Sequence, residues 1–183
     1  YSSGPAAAKL TVLRVAKWKK RLQELNVACK LFPILLNRYA GAIVKNSPEM
    51  IRLQGLGAVA EGADGVLWYF AQNSDVEDYR ILNQLKCELV QYEDFYIEGK
   101  RVDNEFIFSE MTGGKMEVKR WPGFSCWVDA PLWHYTAHRL NGKTLLTLFN
   151  FDSTSELVFN FEYQKKKMSK LVGTAEAAFI VLE

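Results

Sequence analysis

Imidazole, paired cysteine and long apolar runs are all scarce in this chain. Two histidines in 183 residues, His134 and His138, are too few for a histidine-based metal centre. Cys29, Cys87 and Cys126 lie far apart, and no CxxC occurs. An odd cysteine count without ligand spacing argues against a disulfide framework or a zinc site, so three buried thiols acting as small hydrophobes are expected. No uncharged run approaches the ~20 residues of a membrane helix. No basic segment precedes an apolar core at the start, so no signal peptide is expected within these residues and localisation stays open. A net charge of +2 is too small to imply nucleic acid. Nucleotide and hydrolase signatures of the GxGxxG, P-loop, HExxH and GxSxG types are missing too. No metal or organic cofactor is implied.

What is present is an ordinary soluble composition, 49% hydrophobic and 24% charged, which excludes a disordered tail or a fibrous repeat. The aromatic share is 13%, with five tryptophans. Aromatics pack β-rich cores, and they also line sugar and ligand sites. The one dense basic run, Lys165-Lys166-Lys167, reads as a solvated loop.

The first half alternates helix and strand. Tyr1 to Pro5 reads as a linker. Residues 6–28 then carry Leu10, Leu13, Val15, Trp18, Leu22 and Leu25 at spacings of three and four, which predicts an amphipathic helix, mainly from Leu10 onward. Residues 30–36 are apolar on both faces, as in a strand buried between layers, with Pro33 suited to its start or an edge. Ser47-Pro48 is an N-cap and first-turn pair, and Gly62 stands where a helix should end. Gly55 and Gly57 inside that helix suggest close packing on a neighbour. Residues 64–70 read as a second buried strand, residues 72–75 as a polar loop and residues 77–92 as another helix with Ile81, Leu82, Leu85 and Leu89 on one stripe. Strand, helix, strand at this spacing implies a parallel pair. Two parallel strands need more sheet and cover on both faces, so further strands are expected from the rest of the protein or from another chain.

After residue 100 the pattern becomes short strands with frequent turns. Asn141-Gly142 between two such runs is a strong type I′ hairpin signal. In residues 156–163, Leu157, Phe159, Phe161 and Tyr163 fall on one face and Val158, Asn160 and Glu162 on the other. Turns every ~8–12 residues indicate an antiparallel sandwich or barrel. The fold class expected is therefore α/β plus all-β: residues 6–100 as helix, strand, helix, strand, helix, and residues 101–183 as an antiparallel β-sandwich.

In this order the parts resemble the C-terminal end of a glycoside hydrolase: the last βα units of a (β/α)8 barrel, then a small β-sandwich. The matching residues are Ser47 to Gln54 and Ala58 to Phe70, with the Gly62-Ala63-Asp64-Gly65 turn and an aromatic strand end. Leu145 to Asn150 after the Asn141-Gly142 hairpin, and Ala175 to Leu182, resemble the sandwich strands. The resemblance implies that residues 32–37 are the seventh barrel strand and residues 66–70 the eighth. Active sites of such barrels lie at the C-terminal strand ends. That places Asn37, Arg38, Tyr39, Trp68, Tyr69, Gln72, Asn73 and Asp75 at the mouth as carbohydrate-binding residues. Rings there stack on sugar faces, and the polar groups bond hydroxyls.

Glycoside hydrolysis needs two carboxylates. Many barrel glycosidases carry one after the seventh strand, where this chain has Asn37-Arg38-Tyr39 and no acid before Glu49. Asp75 is the one acid at a mouth position, and it also suits an Asx turn or helix cap. The catalytic residues are therefore unassigned. Three alternatives stay open: a carbohydrate-binding module using exposed sandwich aromatics such as Trp121 and Trp127, a protein-interaction module without catalysis, and an unrelated α+β domain. Cys126 with His134 or His138 suggests a thiol and base only if they meet in space; two surface or cross-strand histidines are expected.

Overall fold

The Ser47-Pro48 signal opens a helix, as its chemistry requires. In the computed structural model, which describes residues 4–36, 47–69, 76–109, 115–121 and 124–183, Ser47 Oγ accepts the Met50 N–H at 3.3 Å. The helices are α1 (Gly4–Glu24), α2 (Pro48–Ala60) and α3 (Val76–Ile97). Helix α2 ends in a Schellman motif: the Ala63 N–H donates to the Ala58 carbonyl at 3.0 Å and the Gly62 N–H to Val59 at 2.8 Å. Gly62 takes φ +93° there, a left-handed conformation suited to glycine.

The next turn residue, Asp64, clamps two strand entries together. Its carboxylate accepts the Leu31 N–H at 2.9 Å and meets Lys30 at 3.0 Å, while its own N–H donates to the Leu31 carbonyl at 2.9 Å. The Leu31 N–H, ahead of the lysines, holds this carboxyl below its usual range. Strands β1 (Ile34–Leu36) and β2 (Leu67–Tyr69) follow and pair in parallel, with Ile34 opposite Leu67, Leu35 opposite Trp68 and Leu36 opposite Tyr69. The expected strand–helix–strand unit is present. The expected burial on both faces is not: Leu35 is 3% exposed, whereas Ile34 is 69% and Leu67 54% exposed, with Phe32 also exposed. One face rests on helices and the other meets solvent.

The remaining strands are antiparallel: β3 (Lys100–Arg101), β4 (Phe106–Phe108), β5 (Lys115–Trp121), β6 (Phe124–Asp129), β7 (Trp133–Leu140), β8 (Lys143–Asn150), β9 (Leu157–Tyr163), β10 (Lys166–Val172) and β11 (Glu176–Leu182). A four-stranded sheet runs β11-β8-β7-β3, a three-stranded sheet β10-β9-β4, and β5-β6 make a separate hairpin. Asn141 (φ 50°) and Gly142 (φ 80°) form the type I′ turn between β7 and β8. Gln164 and Lys165, both left-handed, turn β9 into β10, so the lysine run straddles that turn and begins an edge strand. Charged residues suit such an edge because they oppose further strand pairing.

Strand β8 is buried along nearly its whole length because both of its faces are covered. Leu145 and Phe149 join Val12 of α1, Met50, Leu53 and Leu56 of α2, and Leu85 and Tyr96 of α3 in one core. Leu146 and Leu148 join Phe106, Phe159, Phe161 and Tyr163 of the three-stranded sheet in a second. The chain is thus a mixed α/β structure with helices on one face of the larger sheet and strands on the other. Residues on both sides of the expected seam at 100 share the first core.

Several expectations need correction. Helix α1 starts at Gly4, inside the segment read as a linker. Trp18 is 59% and Leu25 52% exposed, so neither belongs to the buried stripe, which is Ala8, Val12 and Val15. Cys29 and Cys87 are exposed thiols, not core hydrophobes.

The helix glycines are contact points, as expected. A Cβ on Gly57 would stand 2.5 Å from Val12 Cγ2, and one on Gly55 2.5 Å from Leu85 Cδ2. Val12 is fully buried and β-branched, so it cannot rotate clear. Gly57→Ala should destabilise the protein by about 1–2 kcal/mol, because overpacking outweighs the ~1 kcal/mol gain in helix propensity. A urea midpoint equal to or above that of the parent would contradict this packing.

Candidate functional site

Of the residues expected at the barrel mouth, Trp68 and Tyr69 lie within the described structure. Asn37, Arg38, Tyr39, Gln72, Asn73 and Asp75 fall outside the described residues. Trp68 is partly buried in the core beneath the helices, and its ring lies where a Cβ on Gly55 would come within 3.2 Å of Cζ2. Its visible contribution is packing on α2. Tyr69 pairs with Leu36 at the last position of the parallel pair.

The densest polar constellation described lies elsewhere, between the helices and β7. Glu61, the C-cap of α2, is buried and meets His134 Nε2 and Arg101, whose Nη2 donates to Oε1 at 3.0 Å and Nη1 to Oε2 at 3.2 Å. Arg101 Nη1 also donates to the Ala60 carbonyl at 3.2 Å, and Nε reaches both Asp103 oxygens at 2.7 Å. Asp103 in turn accepts the Ala137 N–H at 2.6 Å. From α1, Lys9 Nζ donates to the Trp133 carbonyl at 2.6 Å and stands 3.0 Å from His134 Nδ1.

These contacts fix the charges. An ammonium at Nδ1 requires that nitrogen to accept, which leaves Nε2–H to donate to Glu61, so His134 is neutral. Burial lowers its pKa, with the Glu61 hydrogen bond opposing. Burial alone would raise the Glu61 carboxyl, but His134 and Arg101 outweigh it and hold it at about 2. Burial also brings Lys9 down to about 8, against the pull of Glu61. Two cations, Lys9 and Arg101, therefore face two anions, Glu61 and Asp103, around a neutral imidazole.

His138, two turns of the strand pleat further on, is 5% exposed and set edge-on against Tyr96 at 5.3 Å. Burial, followed by the Arg101 charge, lowers its pKa to about 4. Its Nδ1 and the Thr136 hydroxyl have no hydrogen-bond partner among the described residues. Of the two expected placements, surface or cross-strand, the histidines take the cross-strand one: on β7, His134 lies opposite Phe149 and His138 opposite Leu145. Perturbed groups mark active sites in many proteins, but paired ion networks perturb them as well. Here every charged member has a protein partner, and Lys9 is only 3% exposed. The arrangement is chemically suited to holding layers together.

Among the described residues no cluster of His, Cys, Asp or Glu could hold a metal ion, and no helix is long and apolar enough to cross a membrane. Trp133 packs with Phe108, Tyr135 and Phe159 in the core shared by the two sheets. Trp121 and Trp127 lie on the β5-β6 hairpin. No model of a known protein family matches the chain, and no curated protein matches it.

The network predicts acid lability. An unfolded histidine takes up a proton below its ordinary value of 6.5, whereas folded His138 resists until about 4. Stability should fall as pH drops across that window. Glu61 adds a second loss between the ordinary value of 4.5 and about 2. Denaturant titrations from pH 7 to 4 should show the decline. His138→Phe, which keeps a ring against Tyr96, should remove up to roughly 3 kcal/mol of it. A slope unchanged by that substitution would place the acid sensitivity on other groups.

Proposed function

We propose that this chain is the C-terminal part of a glycoside hydrolase-like protein, contributing the last βα units of a (β/α)8 barrel and a supporting β-sandwich. The observation that carries the reading is the one-sided parallel pair. Leu35 packs inward beneath the helices, while Ile34 and its register partner Leu67 are exposed. In a closed barrel the side chains opposite the helices fill the interior in layers. A parallel sheet buried on both faces needs further strands, which the rest of the protein or another chain would supply.

The antiparallel half supports the same reading. Its two sheets bury one aromatic core, and its outer sheet face packs beneath the helices. That is the place of a buttressing domain. In this reading the ligand is a carbohydrate, met at the C-terminal ends of β1 and β2. Tyr69, the last residue of β2, and Asn37, Arg38, Tyr39, Gln72, Asn73 and Asp75, in the sequence after the two strands, are the stacking and hydroxyl-bonding groups of this reading. The catalytic carboxylates come from strands outside this segment. Of the sandwich tryptophans, Trp133 is occupied in core packing, so a stand-alone carbohydrate-binding module would rest on Trp121 and Trp127.

Two measurements test this. The gene product with its upstream region should hydrolyse or bind glycosides, while the 183-residue chain alone should show no turnover. Asn73→Ala should weaken glycan binding by roughly 1 kcal/mol, the net value of a typical hydrogen bond. Separately, Leu67→Lys should change the stability of the chain alone by less than about 0.5 kcal/mol, because the site is exposed. In the longer product it should prevent folding. A longer product that folds normally with Leu67→Lys, and binds no glycan, would remove the barrel reading.

A further inference from the structure

Helices α1 and α3 carry exposed faces of opposite charge and the same spacing. On α1, Trp18 is exposed, and Leu25, in the turn just after the helix end at Glu24 with its N–H still donated to the Arg21 carbonyl at 3.1 Å, is exposed seven residues on; Arg14, Lys17 and Arg21 are exposed around them. On α3, Val90 (56%) and Ile97 (76%) are exposed seven residues apart, with exposed Glu93 and Asp94 between and Glu98 beyond. A seven-residue step returns a helix to the same face. Each face is therefore an apolar pair bracketed by charge, cationic on α1 and anionic on α3.

The asymmetry is large for this chain. Helix α1 holds Lys9, Arg14, Lys17, Lys19, Lys20 and Arg21 against Glu24 alone, while the whole chain is only +2. The rest of the molecule is therefore net acidic. The acidic cluster also sits at the wrong end of its own helix. Glu93 and Asp94 occupy the C-terminal part of α3, with no basic residue in its last turn. There the helix dipole disfavours negative charge, and a cation brought alongside relieves it.

We propose that the α1 face docks on the α3 face of a second copy of this chain. The pairing is antiparallel. Trp18 then meets Ile97, Leu25 meets Val90, Arg21 lies against Glu93 and Asp94, and Arg14 and Lys17 lie near Glu98. In the parallel alignment Arg21 would still meet Glu93, but Arg14 and Lys17 would lie near Lys86 in place of Glu98, so charge favours the antiparallel one. The intrahelical pair of Arg21 and Glu24, at 3.2 Å and exposed, competes only weakly. Tryptophan and arginine are the residues that most often anchor such contacts. The barrel reading is argued from the β1-β2 face and this proposal from α1 and α3, but helices added by further βα units would compete for the same two faces.

Sedimentation velocity of the 183-residue chain over a concentration series tests it. Self-association should be present and should weaken as salt rises. Trp18→Ala should raise the dissociation constant about thirtyfold, as loss of an anchor does. Lys17→Glu with Arg21→Glu should abolish association, and so should Glu93→Lys with Asp94→Lys. A mixture of those two variants should associate again, because each then offers the charge the other needs. Circular dichroism confirms that the variants fold. A chain monomeric at every concentration and salt, or association that survives both reversals, overturns the proposal. So does a longer product whose additional segments cover these two faces.

Discussion

One buried carboxylate organises the junction between helices and sheet. Glu61 closes α2, where the helix dipole already concentrates negative charge, so an acid at that position is unfavourable on its own. Arg101 resolves the conflict by donating to both Glu61 oxygens and to the Ala60 carbonyl. The same guanidinium holds Asp103, which receives the Ala137 N–H of the sheet. Helix end, two-residue strand and central sheet are thereby tied through one side chain. Removing either partner would leave an uncompensated charge in the interior, which is far costlier than the net value of the pair.

Charge closure explains why the junction tolerates burial. His134 relays between Lys9 and Glu61 without carrying charge itself, so the group is balanced without needing solvent. Around it the packing is ordinary and tight. Each fully buried Leu or Phe of the shared core is worth about 1.5–3 kcal/mol over leaving it exposed. That apolar layer supplies the adhesion. The polar network supplies direction, because hydrogen bonds of defined geometry admit one orientation of α1 and α2 over β7.

The sequence was most legible where a local conformation demands a particular residue. Ser47-Pro48, Gly62 and Asn141-Gly142 announce a helix start, a helix end and a hairpin through dihedral and capping requirements that context does not change. The alternation in residues 157–163 was equally plain, since one face of β9 is buried and the other is not. Burial was harder to read. Trp18 sits at helical spacing from Leu22 and Val15, and only the position of α2 decides which side of α1 is covered. Residues 31–36 are apolar throughout, so composition cannot say that Phe32 and Ile34 face outward. The Glu61 network had no local signature. Its members span Lys9 to Ala137 and meet only when the topology is complete. The one available hint was an acid, Glu61, immediately before a helix-ending glycine.

The parallel pair depends on the same junction. Two short strands, three residues each, cannot form a stable sheet by themselves, and their hydrogen bonds compete with water on two edges. Leu35 and Trp68 anchor them by sinking under α2, where Gly55 leaves room for the indole. Asp64 sets their register from the turn that α2 feeds. The helix that Glu61 and Arg101 fix over the sheet is therefore also the platform on which β1 and β2 are laid out. Their exposed apolar face is thereby held in an extended, paired conformation from the helix side alone.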